Sequence, residues 1–311
     1  MQKINYRFTY IFFYILFVVF SLFILQYIFE QSSSTNIENI SKQNIEKKFK
    51  ERKNYIEDFF DNYKNSLIAL SENKTVNDYI NGKDNIQDVK SLFLTAKRSL
   101  PSALKIRVLD LNGNETIKVY GTPILSYKEK NISKIASDNE LQNKYSRYYF
   151  HRFKKLKKGE IGLSKIDLQR EYGKVVKPKK ATLRLATPLY NKDNKKKGIL
   201  IFSISLKKLF NNLKKSSIYH IMLAENNRRF ILHYEKNKGL TSSTYKTFLL
   251  QDEFGNNKVN SIILNETFVS EEFYSGLLEN LNTGQELKMI LKPKFQKLIK
   301  QNEESKFNIY F

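Results

Sequence analysis

The spacing of apolar and polar positions changes several times along the chain, and each change marks an element. Residues 8–29 contain no charged side chain and are mostly Phe, Ile, Leu, Val and Tyr. At about 1.5 Å per residue, such a run crosses a hydrocarbon core of about 30 Å. Tyr10 and Tyr27 lie near its ends, where interfacial aromatics belong. Lys3 and Arg7 precede it, while Glu30 and a neutral stretch follow. The positive-inside rule therefore places residues 1–7 in the cytoplasm and residues 30–311 outside. A cleaved signal peptide has a shorter apolar core, about 7–15 residues, ending in small side chains. This run is longer and ends in Gln26-Tyr27-Ile28-Phe29, so it reads as an uncleaved anchor. Residues 287–291 are only strand-sized, and residues 306–311 are too few to span.

From residue 36 to about 81 the period becomes helical. Ile37, Ile40, Ile45, Phe49, Ile56, Phe60, Tyr63, Leu67 and Leu70 recur at helical spacing, and no Pro or Gly intervenes before Gly82. Ser34, Thr35 and Asn36 are N-capping types. The pattern predicts a stalk helix whose far half packs on a domain. A second helix is expected over 84–100, closed by Pro101.

Strand-like runs follow. Residues 103–111 and 115–120 flank Asn112-Gly113-Asn114, a turn whose residues tolerate positive φ. A loop is expected over 121–134, loop plus helix over 138–157, and a short strand over 160–164. Residues 182–190 and 198–205 form a hairpin around a polar turn, and 206–215 a linking helix. A second hairpin covers 218–224 and 229–234. Further strands are expected at 259–268 and 286–291, with a helical piece over 270–281. Helices on antiparallel sheets, occurring twice, predict an α+β protein with two modules. The first covers 30–206 with the stalk and the second 207–300, leaving a tail over 301–311.

Composition narrows the function. The 311 residues are 41% hydrophobic and 14% aromatic, enough for packed cores. Lys and Arg number 54 against 31 Asp and Glu, a net charge of +23. No Arg-rich arm, zinc pattern or RNA-binding signature accompanies that charge, so solvated lysines are the reading and nucleic acid is not expected as a partner. Cysteine is absent, which excludes disulfides and thiolate sites and fits a bacterial periplasm. No nucleophile elbow, phosphate loop, metalloprotease motif or dinucleotide fingerprint occurs, so no catalytic residue is expected. His151, His220 and His233 have no metal-ligand spacing, and neither metal nor cofactor is expected.

Five segments together resemble a known family. They are KIRVLDLNGNETIKV at 105–119, NKYSRYYF at 143–150, KKGEIGLSKIDLQREYGKVVKP at 157–178, LRLATPLYNKDNKKKGILIFSIS at 183–205 and IYHIMLAENNRRFILH at 218–233. Ser164, Asp167, Leu168, Glu171, Gly173, Pro178, Arg184 and Pro188, in that order, are the strongest part. The set is similar to the double Cache, PAS-like extracytoplasmic sensor domains of bacterial histidine kinases, diguanylate cyclases and chemoreceptors. The resemblance implies two PAS-like antiparallel-sheet modules on one long helix, a ligand pocket in the membrane-distal module, and no enzyme activity in the module itself. Gln169 stands where the family usually has Asn, and Ala181-Thr182 where a Pro and an apolar residue are common. Those departures bear on pocket shape. Such receptors also return through a second membrane helix to an output domain, and this sequence has neither.

Candidate ligand residues then stand out. Arg147 offers a planar fork suited to carboxylate or phosphate, with Tyr148 and Tyr149 beside it. Arg184 shares a strand face with Thr182, opposite Leu183, Leu185 and Leu189. A charge in so apolar a strand faces a ligand or water, or is paired, and Asp167 is the available partner. Both readings of Arg184 stand. Arg107 in the first hairpin is a similar, weaker candidate. The expectation is a membrane-anchored sensor, single-pass in a bacterial inner membrane, binding a small solute that bears a carboxylate or an amine. It would act as a homodimer or beside a partner receptor. Two alternatives are a truncated or split receptor lacking its output domain, and a non-sensing envelope protein that oligomerises through the stalk.

Overall fold

The apolar run and the stalk pattern join in one helix, α1, Tyr6–Ser71. The structure is a computed structural model and describes residues 6–122, 132–243, 247–270, 272–278 and 286–294. The chain divides into two compact units, residues 1–50 and 51–311. In the first, Tyr10–Ser32 is long and apolar enough to cross a membrane, with mean hydropathy 2.5. Ser34, Thr35 and Asn36 lie inside α1, a correction to the expected start. The expected single helix to residue 81 is also corrected. Its end breaks at Glu72-Asn73, because the Asn73 side chain accepts the Thr75 N–H at 2.9 Å and starts α2, Lys74–Ile80.

In the second unit the buried residues of α1 are Ile56, Phe60, Tyr63, Leu67 and Leu70, one face of the helix. The Tyr63 hydroxyl accepts the Ser102 N–H at 2.9 Å. Helix α3, Ile86–Ser99, packs on β1, Ala103–Leu109, and β2, Glu115–Gly121. Next come β3, Ser133–Ile135, a 3-10 turn at Asp138–Glu140, and α4, Tyr148–Lys154. Short strands β4, Gly162–Leu163, β5, Asp167–Leu168, β6, Arg170–Glu171, and β7, Lys174–Val175, lead to two long ones. These are β8, Ala181–Tyr190, and β9, Lys196–Ser205. The first sheet runs β3-β2-β1-β9-β8-β4, with β5 also on β8, and its ladders are antiparallel.

Helix α5, Lys207–Lys214, leads to the second sheet. That sheet has the order β11-β10-β14-β13-β12. Its strands are β10, Tyr219–Glu225, β11, Phe230–Leu232, β12, Thr267–Val269, β13, Tyr274–Leu277, and β14, Leu287–Pro293. Helix α6, Leu250–Leu264, kinks at Gly255 (φ 73°) and covers it. Its Phe254, Val259 and Ile262 join Met222, Phe230, Phe273 and Ile290 in one core.

Two expectations fail here. Residues 259–268 were expected as a strand, but 259–264 belong to α6, since Val259 and Ile262 are three apart and share the buried side of a helix. Only Thr267–Val269 is a strand. The helix expected over 270–281 is instead β13, which pairs with β12 and β14 through Tyr274 and Ser275. Phe273, Tyr274 and Leu277 have spacing that serves either element, and the partner strands decide. Residues 279–281 lie outside the described residues, as do 301–311 and most of the loop expected over 121–134.

The result is an α+β architecture of two antiparallel-sheet modules. What positions the candidate site is the first sheet's division into two faces. Ile106 pairs with Val119 and Phe202, and Phe202 with Leu185, giving an apolar face. On the opposite face Lys105 pairs with Tyr120 and Ser203, and Ser203 with Arg184, giving a polar row across β2, β1, β9 and β8.

Candidate functional site

The polar face is buried, which is costly unless its charges are answered. Arg107 is 2% exposed and donates from Nη1 to Glu115 at 2.8 Å and from Nη2 to the Tyr149 hydroxyl at 3.2 Å. Its Nε meets no hydrogen-bond partner among the described residues. Lys118 also pairs with Glu115, at 3.4 Å, and Lys105 pairs with Glu171. Burial pushes the Lys105 ammonium well below its ordinary pKa, and Arg107 adds to the effect. Burial raises Glu115, but Arg107 and Lys144 outweigh it and hold the carboxyl below its usual range.

The turn of the first hairpin places the opposite wall. Gly113 has φ 85°, and a Cβ there would sit 2.7 Å from the Tyr145 backbone N. Only glycine allows both, and the Gly113 carbonyl accepts the Lys144 N–H at 2.7 Å. This contact seats the segment entering α4. Lys144 is buried, and burial, with Arg107 nearby, lowers its pKa to about 8.

Helix α4 then lays Tyr149 on the polar face, while Phe150 and Phe153 join Leu109, Ala186, Ile199 and Ile201 on its apolar half. Three guanidinium carbons surround the Tyr149 ring: Arg184 at 4.6 Å, Arg107 at 5.5 Å and Arg147 at 5.6 Å from its centroid. Asp167 joins them through Arg184 at 2.8 Å and, more loosely, Arg147 at 3.9 Å. It also accepts the Tyr148 hydroxyl at 3.1 Å. Burial and Asp167 push that hydroxyl up to about 12.

All five residues expected from the sequence, Arg107, Arg147, Tyr149, Asp167 and Arg184, therefore meet around one ring. Arg184 proves paired and is 4% exposed, so it braces the site from behind. Arg147 has a quarter of its side chain exposed and the longest ion pair, which makes it the more available cation. Sequence reasoning missed Lys105, Glu115, Lys118, Lys144 and Ser203. The alternation Lys105-x-Arg107 in β1, facing Lys118 in β2, was the signal for a charged sheet face. In all, Lys105, Arg107, Lys118, Lys144, Arg147 and Arg184 face Glu115, Asp167 and Glu171, so positive charge is in surplus.

A cleft of about 420 Å³ opens beside this cluster, lined by Arg147, Tyr148, Asp167, Arg170, Arg229 and Leu240 among others. Its size suits a small solute.

Another buried polar cluster lies in the second module. Glu253 of α6 accepts Tyr234 at 2.9 Å, Lys292 at 3.0 Å and Lys238 at 3.2 Å. His233 Nδ1 accepts the Glu235 N–H at 3.1 Å, so its proton sits on Nε2, 3.5 Å from Glu253. Burial pushes His233 down to about 4, against the pull of Glu253.

Comparison with known proteins bears on both modules. A family model described as the sensor domain of bacterial histidine kinases matches residues 38–239. No protein of curated function matches the sequence. Among solved structures, a domain of a sensory box/GGDEF family protein from Vibrio parahaemolyticus has a TM-score of 0.69 at 18% identity, covering 84% of this chain and 98% of its own. The extracellular domain of the histidine kinase vpHK1S-Z8 has a TM-score of 0.68 at 18% identity, covering 89% and 100%. The ligand-binding domain of the Campylobacter jejuni chemoreceptor Tlp3, in complex with L-valine, has a TM-score of 0.58 at 15% identity, covering 84% and 96%. At these identities the likeness is one of fold, and all three are sensory rather than catalytic domains.

Proposed function

Because the chain belongs to the family of bacterial histidine kinase sensor domains, we propose that it is a membrane-anchored extracytoplasmic sensor that binds a small carboxylate-bearing solute in its first module. In this reading residues 1–7 are cytoplasmic, 8–29 cross the inner membrane, and 30–311 are periplasmic. Residues 30–206 form the membrane-distal, ligand-binding module and residues 207–300 the membrane-proximal one. The observation that carries the reading is the meeting of Arg107, Arg147 and Arg184 around Tyr149, next to a cleft that Arg147 and Asp167 line. A buried surplus of cations attracts an anionic group, and a guanidinium fork matches a carboxylate. An amino acid of the size of L-valine, seen with the Campylobacter domain, would carry such a group. Occupancy would bias the packing of the module on α1 and pass a shift towards the membrane.

The test is a titration of the full chain in nanodiscs with amino acids, organic acids and amines, followed by thermal unfolding. A ligand at a hundred times its Kd adds about 2.7 kcal/mol to stability. Arg147→Ala should cut the gain for a carboxylate to about 0.4–1.4 kcal/mol at the same concentration. Arg184→Ala is the poorer probe, because it also strips Asp167 of its partner. A chain that no solute in the panel stabilises would not be a sensor of this kind.

A further inference from the structure

Most of the cleft wall comes from the first module, but Arg229 follows β10 of the second. Its Nε and Nη2 both donate to one oxygen of Glu225, at 3.1 and 2.8 Å. Nη2 also lies 3.5 Å from the carbonyl of Ile166, the residue before Asp167. Its Nη1 has no acceptor among the described residues, and about a third of the side chain is exposed. Arg229 thus leaves its own module, touches the segment that holds Asp167, and presents a free edge to the cleft.

The charges there do not balance. Arg147, Arg170 and Arg229 line the cleft together with one carboxylate, Asp167. Asp167 is already held by Arg184 at 2.8 Å. Arg170 donates only to the carbonyl of Gly173, at 3.2 Å, which neutralises nothing. Glu225 is 1% exposed and answers Arg229 from behind. Counting Arg147, Arg170, Arg184 and Arg229 against Asp167 and Glu225, the cleft keeps two positive charges.

We propose that Arg229 completes the binding site from the second module, so that a carboxylate or phosphate group of the solute is held between Arg147 and Arg170 on one side and Arg229 on the other. This rests on the sensor reading and adds to it the solute's charge and the route of the signal. Guanidinium edges from the two modules share one anion, each through charge-assisted hydrogen bonds. An anion so held fastens the turn after β10 to the start of α4 and to β6. A solute without the anionic group would fill the cleft and leave that fastening unmade. The differential contact between modules is what a ligand needs in order to shift their packing.

The test uses the full chain in nanodiscs of neutral lipid, with acetate, succinate, L-glutamate and inorganic phosphate as anionic probes and putrescine and glycerol as controls. Arg229→Gln alone leaves Glu225 buried without a partner, so Glu225→Gln/Arg229→Gln is made alongside it as a neutral pair. The paired variant should keep the wild-type melting temperature and raise the Kd of a bound anion about tenfold or more, the worth of one charge-assisted contact. In the wild-type chain that anion should slow hydrogen exchange at amides 226–229, and in the paired variant it should not. An anion that binds the paired variant as tightly as wild type removes Arg229 from the site and leaves the sensor reading standing. A wild-type chain that binds only putrescine or glycerol removes Arg229 from the site and the carboxylate from the proposed function, leaving a sensor of a different solute. A chain that binds none of the probes, and no solute of the wider panel, loses both readings.

Discussion

The two modules each bury a charged cluster, and the clusters differ in how they close. In the second module Glu253 and Glu235 meet Lys238 and Lys292, and His233 stays neutral between them. Charges cancel there, with Lys238, Lys292 and the Tyr234 hydroxyl ending on Glu253 or Glu235, although His233 Nε2 is buried without a hydrogen-bond partner among the described residues. In the first module six cations share three carboxylates, Arg107 Nε has no hydrogen-bond partner among the described residues, and burial lowers both Lys105 and Lys144. Buried charge that cancels holds a helix to a sheet. Buried charge that does not cancel costs stability and is kept where something else supplies the missing sign. In the proposed reading, that difference sets a structural hub apart from the candidate site.

That contrast breaks first at Glu253. Glu253→Ala leaves Lys238, Lys292 and the Tyr234 hydroxyl facing a gap, and removing one partner of a buried pair costs about 3 kcal/mol. Denaturant unfolding should show that loss, while the Kd of any solute bound in the first module stays within twofold. A large change in Kd would mean that the hub belongs to the site. The next effect is the converse. Arg147→Ala should raise the Kd of an anionic solute by roughly 10- to 100-fold, about 1.5–3 kcal/mol for a hydrogen bond to a charged group. Its stability should stay within about 0.5 kcal/mol of wild type, because its ion pair is long and partly exposed.

Much of this was legible in the sequence, and the boundary is instructive. Periodicity located α1, α3, β8 and β9 because their apolar positions repeat over many residues. It failed at 259–264 and 274–277, where short apolar groupings fit either period and the partner strands decide. Arg107, Arg147, Tyr149, Asp167 and Arg184 could be picked out because charge in an apolar strand, or an Arg beside paired tyrosines, is locally odd. Lys144 is not locally odd. It sits in a polar segment that reads as a solvated loop and is buried by a sheet whose strands lie far away in sequence. Arg229 was hidden for the same reason. Its partner across the modules, the carbonyl of Ile166, is a backbone group that no side-chain pattern reveals.

Titration should divide the modules again. His233 is ordinarily near 6.5 in an unfolded chain and is pushed to about 4 here. Between those values the unfolded chain takes up a proton that the folded one refuses. Stability is therefore complete above pH 6.5 and falls as pH drops towards 4, by on the order of 2 kcal/mol. Glu253, held below its ordinary value by Lys292 and Tyr234 against burial, extends the loss below pH 4.5. Urea midpoints at pH 7, 6, 5 and 4 measure the slope, and His233→Gln should flatten it between 6.5 and 4.5. The first module responds in the same sense but in a separate, alkaline window. Lys144 is near 8 folded against 10.5 unfolded, so raising pH from 8 to 10.5 should stabilise it.

The smallest effect is the sharpest test of the contrast, because it has opposite signs in two measurements. Lys144 is 7% exposed, and its ammonium reaches only the amide of Gln142. Lys144→Met keeps most of the apolar stem and removes a buried cation that Glu115 attracts only from a distance, without an ion pair. Removing such a charge should stabilise the ligand-free chain by about 1 kcal/mol at pH 7, and the alkaline gain in stability should shrink with it. The same variant takes one positive charge from the wall of the site, so an anionic solute should bind about threefold to tenfold more weakly. A structural lysine would show the reverse, a loss of stability and no change in affinity. Stability gained and affinity lost together would mean that the first module holds its excess charge at a cost, and that the solute's own charge offsets it.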